Sequence, residues 1–217
     1  PKIEEWHSKD ILKKFDNISW NDSIKKLHKP ENIGKFNENF YQRLAFDEIF
    51  STFLVNSEIR KKIKRIKKTK KKFDTKKQNK IISELDFSLT RDQIKTLDEI
   101  NKDLSSENKM FRLLQGDVGS GKTIVSLLSA FNTINSGFQV AVMAPTEILA
   151  RQHFLLAKKI FPKNIRIELL SGKSSYRDKK VILDQLSKKQ IDIVFGTHAL
   201  FQKKVEFKKL GLIIIDE

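Results

Sequence analysis

The stretch Gly116-Asp117-Val118-Gly119-Ser120-Gly121-Lys122-Thr123 carries the pattern G-x-x-x-x-G-K-[ST]. Its glycines let backbone N–H groups curl around a phosphate with no Cβ in the way, and a helix opening directly behind them adds the positive end of its dipole. Lys122 supplies a mobile positive charge for the outer phosphates of a nucleoside triphosphate, and Thr123 a hydroxyl for Mg2+. Far downstream, the apolar run Leu212-Ile213-Ile214-Ile215 ends in Asp216-Glu217. Asp216 suits a Mg2+ held through its water shell, and Glu217 suits a base that orients and deprotonates an attacking water. The catalytic set read from residue types is therefore Lys122, Asp216 and Glu217, with Thr123 and Asp216 as the metal set. The blander alternatives are a glycine-rich turn without a ligand and a carboxylate pair that merely ends a strand. The complete loop pattern and the four apolar residues before the pair favour the chemical reading.

Such a site requires the loop and the carboxylates to meet at one edge of a sheet. From Met110 onward, short apolar runs alternate with helical stretches: MFRLLQ, QVAVMAP, IRIELLSG, IDIVFGT and LGLIIIDE. Runs rich in Val, Ile and Leu, separated by amphipathic helices, are expected to be parallel strands buried on both faces, with ligands at their carboxyl ends. The loop then follows a strand at Phe111 to Leu114 and opens a helix from Thr123 to Asn135, which ends near Ser136-Gly137. The fold class expected is α/β, a parallel sheet carrying the phosphate loop, preceded by an α-helical segment.

In that helical segment Ser19 and Asp22 mark a helix start and Pro30 its stop. A longer helix is expected from about Asn39 to Lys72, with Phe46, Ile49, Phe50, Phe53, Leu54, Ile59, Ile63 and Ile66 along one face. Its end, residues 60–72, is basic at almost every position, which suits either a phosphate-gripping surface or a solvated helix face. Residues 74–84 read as a polar connector. The domain boundary expected is therefore 1–84 against 85–217.

Lys and Arg number 43 against 27 for Asp and Glu, a formal net charge of +16, which favours a polyanionic partner. Abundant Lys, Ile, Asn and Phe beside scarce Gly, Pro and Trp also suggest a compositional bias that accounts for part of the lysine excess. Cysteine is absent, which excludes disulfides and thiolate metal sites. No run reaches the length of a membrane span. The opening Pro1 and the acidic pair directly behind an apolar run read as a piece cut at both ends.

Beyond the loop, Met143-Ala144-Pro145-Thr146-Glu147-Ile148-Leu149-Ala150-Arg151-Gln152-His153 and Gly196-Thr197-His198-Ala199-Leu200-Phe201 resemble blocks of superfamily 2 helicases. Phe87-Ser88-Leu89-Thr90-Arg91-Asp92-Gln93 looks like the adenine-reading block of that superfamily. Together, GDVGSGKT, MAPTEILARQH, LLSGK and GTHALFQ are similar to the RecG family of bacterial ATP-dependent helicases, which remodel stalled forks and branched DNA. Residues 87–217 carry this resemblance. More loosely, Glu5-Trp6-His7, Leu27-His28-Lys29-Pro30 and Arg43-Leu44-Ala45-Phe46-Asp47-Glu48 look like the helical linker behind that family's OB-type wedge domain, which this chain lacks.

The resemblance implies a RecA-like motor domain using ATP and Mg2+, with a nucleotide site of Phe87, Gln93, Gly116, Asp117, Val118, Gly119, Ser120, Gly121, Lys122 and Thr123. Gln93 can donate to and accept from adenine, with Phe87 as a stacking partner; a structural amide is the alternative for Gln93. Pro145, Thr146 and Thr197 are implied DNA-phosphate contacts, although Thr146 also fits a simple N-cap. Arg151 and His153 are expected to orient their helix or reach the backbone, and a zinc site at His153 and His198 is disfavoured for want of partners. Partners implied are branched or forked DNA and a second RecA-like domain of the same chain that brings arginines to the γ-phosphate. The implied setting is a bacterial cytoplasm and a monomer. Other readings are a transcription-repair coupling factor, an RNA helicase, or a nucleic-acid-binding module without turnover.

Overall fold

The computed structural model describes residues 3–28, 38–172 and 175–216, so the expected roles of Pro30 and Glu217 lie outside the described residues. The chain divides into two compact units, Pro1–Arg65 and Ile66–Glu217, a break earlier than the expected 84/85 boundary.

The first unit comprises helices α1 (Lys9–Leu12), α2 (Trp20–His28) and α3 (Glu38–Arg65). Ser19 starts α2 as expected, accepting from the Asp22 N–H at 3.1 Å and donating to its carboxylate at 2.6 Å. Arg43 of α3 is completely buried and pairs with Glu5 at 2.9 Å and with Asp47. His7 closes on the same Asp47 at 2.6 Å. The rings of His7, Phe15, Phe46 and Phe50 pack around this cluster. Farther along α3 the expected apolar face is exposed at Phe53, Leu54 and Ile59.

α3 stops at Arg65, short of the expected Lys72. The reason is long-range: Lys68 N–H donates to Glu107 at 2.8 Å and Lys109 N–H to Ile66 at 3.2 Å, which draws residues 66–69 into an extended strap in the second unit. Its lysines have structural partners. Lys68 Nζ donates to the carbonyls of Leu104 at 2.6 Å and Asp103 at 3.2 Å, capping the negative end of the helix that carries them. Lys67 and Lys70 share Glu107 at 3.4 and 3.1 Å. Lys71 is buried against Phe138.

The stretch expected to be a polar connector forms α4 (Thr75–Ser83). Asp74 caps it through the Lys76 and Lys77 N–H groups, and Ile81 is buried in the core. The remaining helices are α5 (Arg91–Ser105), α6 (Lys122–Asn135), α7 (Glu147–Ile160) and α8 (Tyr176–Ser187).

Four parallel strands, β1 (Gln139–Met143), β2 (Ile167–Leu170), β3 (Ile193–Gly196) and β4 (Leu210–Ile215), form one sheet in the order β2-β3-β1-β4. Every residue of β1 and β3 is buried, as expected of central strands covered on both faces. Val140 and Val142 face a core built with α4, α5, α6 and α7, whereas Ala141 and Met143 face a second core with α8. The expected strand at Phe111 to Leu114 joins no ladder among the described residues. Leu113 and Leu114 instead line a cavity of about 320 Å3 together with Leu212 to Ile215 of β4. The two edges are separated by space, and their apolar side chains stay exposed, Leu113 at 83% and Ile213 at 52%.

Candidate active site

Parallel strands align their carboxyl ends, and this alignment assembles the site. β1 ends at Met143 and β4 at Ile215 in direct register. The ladder continues one step further, with Asp216 N–H donating to Met143 at 2.9 Å, so the Asp216 carboxylate emerges at the sheet's edge. It meets His153 of α7, whose Nε2 lies 2.6 Å from Asp216 Oδ2. The helix that follows β1 thus returns a side chain to the strand beside it.

The phosphate loop is shaped from both sides. Gly119 and Gly121 both have φ near +81°, a conformation that favours glycine. Ser120 N–H closes a tight turn onto Asp117 at 3.1 Å. A Cβ on Gly116 would lie 2.7 Å from Ser120 Oγ, and one on Gly121 would overlap the Gln93 amide. Gln93 sits in the first turn of α5. Its Oε1 accepts from Thr90 N–H at 2.9 Å while Thr90 Oγ1 accepts from Gln93 N–H at 3.2 Å, a reciprocal capping box. Its Nε2 donates to Ser120 O at 2.9 Å. The cap of one helix is thereby tied to the loop that opens another.

α6 begins at Lys122, in place of the expected Thr123, and Gly121 occupies its N-cap in the left-handed region. The N–H groups of Gly119, Gly121, Lys122 and Thr123 take no hydrogen-bond partner among the described residues, which leaves them available to an anion. Lys122 Nζ folds back on the carbonyls of Gly116 at 2.7 Å and Asp117 at 2.9 Å. A bound phosphate could draw the amine from neutral carbonyls toward a full negative charge. Lys122, Thr123, His153 and Asp216 all line the 320 Å3 cavity, which thus holds both halves of the expected chemistry.

The other expected residues that the structure describes do not line this cavity. Phe87 is half-exposed just before α5. Thr146 caps α7, its Oγ1 accepting from Leu149 N–H at 3.3 Å, which is the structural role weighed for it. Glu147 Oε1 accepts from Gly172 N–H and so ties the start of α7 to the turn after β2. Thr197 precedes a short 3-10 turn, His198–Phe201, and makes no side-chain cap there. Pro145 lies between β1 and the Thr146 cap. The link from His153 to Asp216 escaped sequence reasoning, because nothing local distinguishes this histidine from one that orients its own helix.

Among known proteins, the DEAD/DEAH box helicase family matches residues 90–217, more than half of the chain. The chain belongs to that family. This DEAD/DEAH box chain is also similar to the ATP-dependent DNA helicase RecG of Aquifex aeolicus (strain VF5), 42% identical over 89% of this chain and 25% of the relative. RecG of Thermotoga maritima is 41% identical over 99% of this chain and 28% of the relative, and RecG of Streptococcus pneumoniae serotype 4 is 38% identical over 99% and 32%. A solved structure of RecG bound to a three-way DNA junction superposes with a TM-score of 0.78 at 40% identity, covering 100% of this chain and 30% of that one. The chain therefore spans about a quarter to a third of the length of these relatives. The α/β fold with an all-parallel sheet agrees with the RecA-like architecture implied by the sequence. No helix among the described residues is long and apolar enough to cross a membrane.

Proposed function

We propose that this chain is the nucleotide-binding part of an ATP-dependent DNA helicase that acts on branched DNA and stalled forks in a bacterial cytoplasm, in recombination and repair. The observation carrying the proposal is the convergence of Lys122, Thr123 and Asp216 on one cavity at the carboxyl edge of a parallel sheet. Similarity to RecG, one relative of which was solved on a three-way junction, supports the choice of DNA substrate.

The residues suit Mg-ATP. A Cβ at Gly116 or Gly121 would crowd the Ser120 hydroxyl or the Gln93 amide, and Thr123 and Asp216 offer hard oxygens at the cavity. That is the expected protein share of a Mg2+ completed by water and substrate phosphates. Bound there, Mg2+ would neutralise charge developing on the phosphates. The loop N–H groups and the α6 N-terminus hold the β-phosphate, Lys122 moves onto the β- and γ-phosphates, and Glu217 orients the attacking water. Gln93 and Phe87 take the adenine, with Gln93 exchanging one of its present partners for the base. Pro145, Thr146 and Thr197 contact DNA phosphates. Arginines from a second RecA-like domain complete the γ-phosphate pocket of a protein acting as a monomer.

The test is steady-state ATP hydrolysis by the complete protein, with and without a three-way DNA junction. Stimulation by the junction, with loss of turnover and retained DNA binding in Lys122→Ala, is expected. Turnover persisting in Lys122→Ala would refute the site.

A further inference from the structure

Asp216 is held twice. Its N–H is fixed to Met143 at the end of β1, and its Oδ2 is fixed to His153 Nε2 at 2.6 Å. A carboxylate at the end of a strand otherwise samples several rotamers, since only its backbone belongs to the ladder. An ionised carboxylate only accepts hydrogen bonds, so His153 carries its hydrogen on Nε2 and donates. This occupies Oδ2 and leaves Oδ1 with no partner among the described residues. The histidine itself has little freedom, its side chain only 12% exposed on a helix anchored by the Thr146 cap and the Glu147 contact to Gly172. His153, Asp216, Thr123 and Lys122 line the same cavity.

We propose that His153 is a positioning residue for the metal half of the site: it pins one oxygen of Asp216 so that the other is presented to Mg2+ alongside Thr123. The inference rests on the nucleotide reading above and adds to it a residue from outside the two phosphate-site motifs. Outer partners of metal-holding groups commonly contribute about 10- to 100-fold in metal affinity by fixing the orientation of the inner ones. Here that partner arrives from the helix immediately after β1, so the carboxylate's aim depends on how α7 is seated.

The experiment measures binding of a fluorescent, slowly hydrolysed ATP analogue to the chain, once in EDTA and once in excess Mg2+, so no turnover is needed. The quantity read is the ratio of the two dissociation constants. His153→Ala is expected to shrink the tightening by Mg2+ by about tenfold while the affinity in EDTA stays within about twofold. His153→Gln, whose side-chain amide can still donate to Oδ2, should restore most of it. A merely structural histidine would lower both affinities together, and that result overturns the proposal, as does an unchanged Mg2+ effect in His153→Ala. Should that variant fail to fold by circular dichroism, His153→Phe, which keeps a ring but cannot donate, takes its place with the same two outcomes. If the unmodified chain and Lys122→Ala bind the analogue equally or not at all, the nucleotide reading itself fails, a result distinct from failure of the His153 role.

Discussion

Replacing Lys71 by methionine should stabilise the protein at neutral pH, although it removes a lysine from the chain's most basic stretch. Lys71 is 4% exposed, with its ammonium 4.9 Å from the Phe138 ring centroid, and Lys209 lies over the same ring at 4.5 Å. Burial, and secondarily the positive charge of Lys68, lowers its pKa from 10.5 to about 8. At about 1.4 kcal/mol per tenfold change in proton affinity, keeping this amine charged in the fold costs about 3 kcal/mol. The cation–π contact returns about 1 kcal/mol, so the net gain expected for Lys71→Met, which keeps the buried stem, is about 1 to 2 kcal/mol. The pH dependence follows from the direction of the shift. Below pH 8 the amine is protonated in both states and the full penalty applies. Between about pH 8 and 10.5 the unfolded chain binds more protons than the folded one, so the unmodified protein gains stability with rising pH. The methionine variant lacks this gain, and its advantage should fade over that window. Urea unfolding of both proteins at pH 7 and pH 10 measures it. A variant less stable at pH 7, or an advantage that does not change with pH, would refute the assignment of Lys71 as a buried structural lysine and reopen its use as a surface contact for DNA.

Two further predictions concern the loop and the sheet edge. Gly119 and Gly121 share a φ of +81°, but a Cβ on Gly119 meets nothing within 4 Å whereas one on Gly121 strikes Gln93. Gly119→Ala should cost only the backbone strain, about 1 to 2 kcal/mol, and Gly121→Ala about 1 kcal/mol more through the lost Gln93–Ser120 hydrogen bond; equal losses in thermal unfolding would show that Gln93 does not clamp the loop. On the edge strand β4, Ile213 is 52% exposed, so Ile213→Thr, which keeps a β-branched side chain, should change stability by under about 0.5 kcal/mol in urea unfolding, and a loss of several kcal/mol would show that this side chain is buried in solution.

Where chemistry is local, the sequence alone was sufficient. Gly121 takes the left-handed backbone that a glycine in the loop allows, Ser19 starts α2, and the apolar runs at 139–143, 193–196 and 210–215 are strands. These follow from steric limits on φ and from burial, which depend on residue type more than on neighbours. The tertiary structure decided what depends on partners distant in the chain. Helical periodicity would have carried α3 through to Lys72, but hydrogen bonds to residues 107 and 109 pull the chain out of the helix after Arg65. The polar composition of 74–84 concealed α4, which forms because Asp74 caps it and Ile81 finds a core to enter. The run at 110–114 has a strand's composition, yet a ladder needs a second edge within hydrogen-bonding distance, and a cavity separates it from β4. Likewise Lys71 reads as a surface charge until folding buries it, and His153 reads as a helix residue until the β1–β4 register brings Asp216 to its side. Residue type sets which groups can hold a phosphate or a metal, but their mutual distances come from strand register and helix docking, sums over contacts that no local stretch of the chain contains.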